Sequence, residues 1–151
     1  AKLFEASARL GAVLADAPAE VEEAAASYGR SLGTAFQLVD DLLDYEGNSH
    51  ELGKNVGDDL REGKPTLPLL LAMARGRPDE RALLREAIEF GGEQRLDEVL
   101  AIVRRTGALE ATREAAQAEA DRACAMLERL PPSRAREALL EFSVRAVNRS
   151  S

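Results

Sequence analysis

Apolar residues recur at three- and four-residue intervals along most of the chain, and no segment shows the strict alternation of a half-buried strand. Leu3, Ala6, Leu10 and Leu14 open the pattern. Asp16-Ala17-Pro18 then interrupts it and supplies a cap and an early proline for a second, long helix predicted from near Pro18 to Tyr45. Further helices are predicted over residues 67–74, 79–90, 94–104, 108–130 and 134–147, separated by Gly, Pro and Ser or Thr. Ala, Leu, Glu and Arg, all good helix formers, fill these segments. The expected fold class is therefore all-α, a helical bundle with short connections. The absence of a fixed-period repeat argues against a solenoid.

One interval resists this reading. Residues 46–66 carry Gly47, Gly53, Gly57, Gly63 and Pro65, too many backbone breakers for a continuous helix. A loop of about twenty residues is expected there, longer than ordinary connections and for that reason a candidate functional element.

Composition narrows the class. The chain has 151 residues, 45% of them apolar, enough for one core, so residues 1–151 are expected to form a single helical domain or half-domain. Its net charge of -7 is spread among interspersed acids and bases, which argues against nucleic acid or an anionic membrane as partner. No apolar run reaches membrane-spanning length, and the mixed charges of residues 108–130 suit bundle packing better than a membrane face. A lone cysteine, Cys124, points to a reducing compartment and a cytoplasmic location. The chain opens directly on an amphipathic pattern, as a piece cut within a helix would, and such a piece would leave core-facing apolar surface uncovered.

Chemistry concentrates at the end of the long predicted helix. Asp40, Asp41 and Asp44 sit in a stretch that is otherwise apolar around most of its circumference. At about 100° per residue, Asp40 and Asp44 share a face, Asp41 lies within reach of Asp44, and Gln37 precedes them on the same stripe. Like charges at this spacing repel, so a cation is expected to offset the strain. Carboxylates without Cys or His favour a hard, oxygen-seeking ion such as Mg2+ over zinc. A solvated helix face would show the same bare spacing, but its flanking apolar residues weigh against that. The loop that follows brings Lys54, Arg61 and Lys64 among glycines, where cations can approach a metal-held diphosphate. His50 reads as a solvated side chain and Cys124 as packing.

The combination of Gly33-x-x-Phe36-Gln37-x-x-Asp40-Asp41-x-x-Asp44 with Leu52-Gly53-Lys54-x-x-Gly57-Asp58-Asp59-Leu60 and Gly63-Lys64-Pro65-Thr66-Leu67-Pro68 resembles the second aspartate-rich region of trans-polyprenyl diphosphate synthases. The resemblance runs the length of the chain, and the loop is most similar to octaprenyl-type bacterial members. It implies the C-terminal part of the isoprenoid synthase fold and a Mg2+-dependent prenyltransferase adding isopentenyl diphosphate to a farnesyl-like allylic diphosphate, for quinone side chains. It also implies a homodimer. Asp40 would bind the metal directly, supported by Asp41 and Asp44, while Gln37, Lys54 and Lys64 would face the allylic diphosphate. Phe36 would line the hydrocarbon cavity or simply pack in the core, and Gly29 and Gly33 would permit close helix approach. The family's earlier aspartate-rich motif is not in this sequence, so the chain alone is expected to be inactive. Two rival readings stand beside this one: a non-catalytic helical subunit of a two-chain synthase, and a terpene cyclase-like diphosphate-binding protein.

Overall fold

The computed structural model describes residues 1–46 and 57–149, with only the backbone of Glu93. The elements among them are helices: α1 (Lys2–Leu14), α2 (Ala19–Glu46), α3 (Asp58–Arg61), α4 (Leu67–Arg75), α5 (Pro78–Phe90), a 3-10 turn (Glu93–Arg95), α6 (Leu96–Arg105), α7 (Ala108–Leu127) and α8 (Arg134–Val147). The all-α expectation holds, and α8 falls on its predicted residues. Helix α7 stops at Leu127, three residues short of the prediction, where Leu130 donates its N–H to the Leu127 carbonyl in a closing turn. The main departure is α3, a helical turn inside the segment expected to be loop throughout.

The described residues form two compact units, one from residues 1–39 and 115–149, the other from residues 40–46 and 57–114. Tyr28, Leu32, Ala123, Leu127 and Ala146 make the core of the first, with Phe4 and Ala8 of α1 packed against them. Periodicity located α1 but not its inward face: Phe4 and Ala8 pack inward, whereas Leu3, Leu10 and Leu14 are exposed. The approach of α1 to α2 is close enough to require glycine. A Cβ on Gly29 would lie 2.3 Å from the Phe4 carbonyl oxygen, and one on Gly33 would lie 2.7 Å from the Ala1 Cα. Neither obstacle is a side chain that could swing away. Charge fixes the same pair of helices, since Arg30 reaches the Glu5 carboxylate at 2.8 Å and Arg9 reaches Glu22 at 2.7 Å. Helix α8 starts at Ser133, whose hydroxyl accepts the Arg136 N–H at 3.1 Å. Cys124 is half-buried in this unit and burial pushes its thiol pKa up, the behaviour of a packing residue.

The second unit is built around Tyr45, Leu60, Leu69, Leu84, Val99, Val103 and Ala108. Glu80 of α5 is buried but well satisfied: its carboxylate accepts the Arg77 backbone N–H at 2.9 Å, pairs with the Arg77 guanidinium at 3.0 Å and meets Arg105 of α6. Two cations and a backbone donor offset the desolvation of that one acid. Arg113 of α7 donates from one guanidinium nitrogen, Nη2, to both carboxylate oxygens of Glu46, the last residue of α2, at 2.6 and 2.8 Å.

Two outcomes are expected. Gly29→Ala should lower the unfolding free energy in urea by about 1–3 kcal/mol through overpacking against α1. Gly11→Ala, whose Cβ would meet nothing within 4 Å, should be neutral or stabilising by up to about 1 kcal/mol. Separately, hydrogen bonds from Arg30 and then Lys2 hold Glu5 down from its ordinary 4.5 to about 2. A depressed acid contributes stability above its unfolded pKa and loses it as pH falls through the folded one. The attachment of α1 should therefore weaken as pH drops from 4.5 toward 2, and an NMR titration placing Glu5 near its ordinary value would contradict the pairing.

Candidate functional site

The three aspartates on the last turns of α2 differ in exposure. Asp40 is exposed, Asp41 is buried at 8% exposure, and Asp44 is half-buried. Among the described residues no three acidic, His or Cys side chains stand close enough together to hold an ion. The geometric reason is the helix itself: adjacent residues point about 100° apart, so Asp40 faces solvent while Asp41 turns into its unit.

Asp44 is fully engaged with backbone. Its carbonyl accepts the Gly57 N–H at 3.0 Å, Oδ1 accepts the Asp58 N–H at 3.1 Å and Oδ2 accepts the Asp59 N–H at 3.2 Å. These donors open α3, whose own N-cap, Gly57, has no side chain to offer and holds a left-handed φ of 84°. Asp44 thus caps a helix fourteen residues away in sequence. Burial raises its pKa, ahead of the repulsion from Asp59 and Asp58, while the two amide bonds work in the opposite direction.

The segment from α3 to α4 is ordered around that cap. Leu60 is fully buried in the core of its unit. Asp59 turns back to Lys64 twice: its carbonyl accepts the Lys64 N–H at 2.9 Å and its Oδ1 meets the ammonium at 2.9 Å. Lys64 also pairs with Glu62 at 2.5 Å, and those hydrogen bonds, from Glu62 and then Asp59, raise its pKa well above the usual lysine range. It is a fixed cation at neutral pH. Tyr45, fully buried, shares a hydrogen bond of 3.1 Å with Thr66, and desolvation pushes its phenol far up.

Of the other expected residues, Gln37 is exposed and Phe36 half-buried, both in the first unit. Phe36 stacks on Phe4 with centroids 5.6 Å apart, and the Arg149 guanidinium lies 3.9 Å above its ring. Arg149 also donates to the Phe36 carbonyl at 3.3 Å. Lys54 and His50 lie outside the described residues. Sequence reasoning passed over Asp59 and Arg149, although Asp59 sits in the quoted motif one residue beyond Asp58.

The donor chemistry fits a hard divalent cation in one respect. Mg2+ commonly takes one or two carboxylates and completes its shell with substrate phosphates and water, and exposed Asp40 can supply one such carboxylate. A three-carboxylate cage is not required.

A sequence model described as Polyprenyl synthetase matches residues 1–105. The chain belongs to the polyprenyl synthetase family. It is 52% identical over 150 residues to octaprenyl diphosphate synthase of Escherichia coli strain K12, covering 99% of this chain and 46% of that protein. Among crystal structures it superposes on a decaprenyl diphosphate synthase of Rhodobacter capsulatus with a TM-score of 0.88 at 42% identity, covering 97% of this chain and 46% of that one. It also superposes on a polyprenyl synthase of Caulobacter crescentus, solved with calcium and isoprenyl diphosphate, at a TM-score of 0.87 and 45% identity, covering 99% and 46%. The chain therefore spans about half the length of the curated family members it matches. Among its described residues no helix is long and apolar enough to cross a membrane.

The buried Tyr45–Thr66 bond gives a direct test of how the segment is held. Tyr45→Phe should destabilise the chain by about 1–3 kcal/mol because the Thr66 hydroxyl is left buried without that partner, and adding Thr66→Val should recover part of the loss. Equal or greater loss in the double variant, read from urea unfolding, would mean that the bond is not what secures Thr66.

Proposed function

We propose that this chain carries the diphosphate-binding part of a trans-prenyltransferase that lengthens an allylic diphosphate with isopentenyl diphosphate. The observation that supports it most is the 52% identity to an octaprenyl diphosphate synthase across nearly the whole chain. In this reading Asp40, supported by Asp41, would hold a magnesium ion, and Lys64 supplies a fixed positive charge to the departing group. The family resemblance adds Gln37 and Lys54 as further diphosphate contacts, Asp44 as a third acid of the metal motif and Phe36 as a wall residue.

Magnesium, when bound, would offset charge on the diphosphate oxygens as the allylic carbon–oxygen bond breaks. The protein's own groups do the rest. Lys64, held in place by Asp59 and Glu62, is a preorganised electrostatic partner for the pyrophosphate that takes the bonding electron pair. The double bond of isopentenyl diphosphate then attacks the allylic cation, and loss of a proton leaves an allylic diphosphate one unit longer. Water must be excluded while the cation exists, which is the work of apolar helices. A homodimer in the cytoplasm, supplying quinone side chains, completes the reading, with 1–151 acting as one helical half-domain.

The chain is expected to bind Mg2+ together with inorganic pyrophosphate in calorimetric titration, and Asp40→Asn to weaken that binding tenfold or more. Assayed alone it is expected to show no elongation, since only one acidic cluster of the metal set is in it. Unchanged binding by Asp40→Asn would remove the metal assignment.

A further inference from the structure

We infer that Asp44 is a positioning residue: its carboxylate builds the α3 turn and, through Asp59, sets where the Lys64 ammonium stands. The inference rests on the diphosphate reading of Lys64 and Asp40 given above, but its structural half stands without it.

Three successive backbone donors end on one residue. The N–H groups of Gly57, Asp58 and Asp59 are taken by the Asp44 carbonyl, Oδ1 and Oδ2 at 3.0, 3.1 and 3.2 Å. Each carboxylate oxygen thus accepts one backbone amide proton, so both oxygens take part in holding the start of α3. The first turn of α3 is itself acidic and its N-cap is a glycine, so among the described residues no side chain within α3 caps these donors. Asp44 meets a need that the segment cannot meet for itself.

The consequence reaches Lys64 by two links. Asp44 fixes the Asp59 backbone, and Asp59 fixes Lys64 through a backbone bond of 2.9 Å and an ion pair of 2.9 Å. The Asp59 side chain is only 20% exposed while that of Lys64 is 54% exposed, so the acid is the anchored partner and the base the presented one. The third aspartate of the motif therefore contributes to diphosphate recognition by placing a cation. Loss of its charge should loosen the cation's position while leaving the metal's own carboxylates in place.

Asp44→Asn keeps the side-chain volume but replaces one acceptor oxygen by an amide nitrogen. In the 151-residue chain, amide hydrogen exchange at residues 58–62 should accelerate about tenfold or more, because one charge-assisted bond is lost outright and the other weakened. Asp40→Asn should leave that exchange unchanged. Binding of Mn2+ with inorganic pyrophosphate, followed by electron paramagnetic resonance, should fall tenfold or more in Asp40→Asn and at most a few-fold in Asp44→Asn. Any loss in Asp44→Asn should vanish in a Lys64→Gln background, where placement of that charge no longer matters. Wild-type protection at residues 58–62 in Asp44→Asn overturns the inference whatever the binding shows. So does a binding loss in Asp44→Asn that adds in full to that of Lys64→Gln. Should Asp40→Asn bind Mn2+ and pyrophosphate as the wild type does, the diphosphate reading fails, while the exchange data still decide whether Asp44 builds the turn.

Discussion

The order of residues 57–66 depends on one carboxylate. Glycine at 57 allows the chain to turn with φ of 84°, but a glycine N-cap leaves the first amides of α3 without an acceptor, and Asp44 supplies it from the end of another helix. Its neighbour Tyr45 secures the other end of the same segment by bonding Thr66, just before α4 begins. Two adjacent residues on the final turn of α2 thus grip residues 57–59 and 66, and what lies between them, Leu60 in the core and Lys64 at the surface, is located by those two holds.

This arrangement also changes how the self-repelling acids are tolerated. Three aspartates within one helical turn look like a site awaiting a cation. In the folded chain they differ in setting: Asp40 is exposed, Asp41 is buried and Asp44 faces backbone amides. Amide dipoles pointing at Asp44 stabilise its charge without any ion, at the expense of a desolvation strong enough to raise its pKa overall. Part of the offsetting positive potential is therefore built into the polypeptide.

Helices longer than two turns were legible because amphipathic period and breaker residues are local signals, and α2 and α8 fall within a residue of their expected bounds. Helix α3 was not legible. Its four residues lie between glycines, and what stabilises them is a carboxylate fourteen positions away, which no window of local propensity contains. The inward face of α1 was hidden for a similar reason: its leucines outrank Phe4 and Ala8 in hydrophobic pattern, yet Gly29 and Gly33 determine which face can approach α2. For the candidate site, spacing and resemblance singled out Asp40, Asp41, Asp44 and Lys64. The division of labour among them was not, because helical spacing fixes directions but not which direction meets a backbone donor.

Residue type at a motif position is thus an incomplete guide to what that residue does. A motif aspartate kept for its charge and one kept for its two hydrogen-bond acceptors look identical in sequence, and both are poorly replaced by any other side chain. They differ in what neutralisation removes. For an exposed acid such as Asp40 it removes an electrostatic partner for something outside the chain; for Asp44 it removes acceptors that the chain's own backbone has no means of replacing. In the proposed metal-diphosphate reading the two acids therefore do different work, Asp40 facing outward to bind and Asp44 facing inward to hold the segment that carries Lys64. Their closeness in sequence follows from geometry: the helix that presents the first must end where the segment held by the second begins.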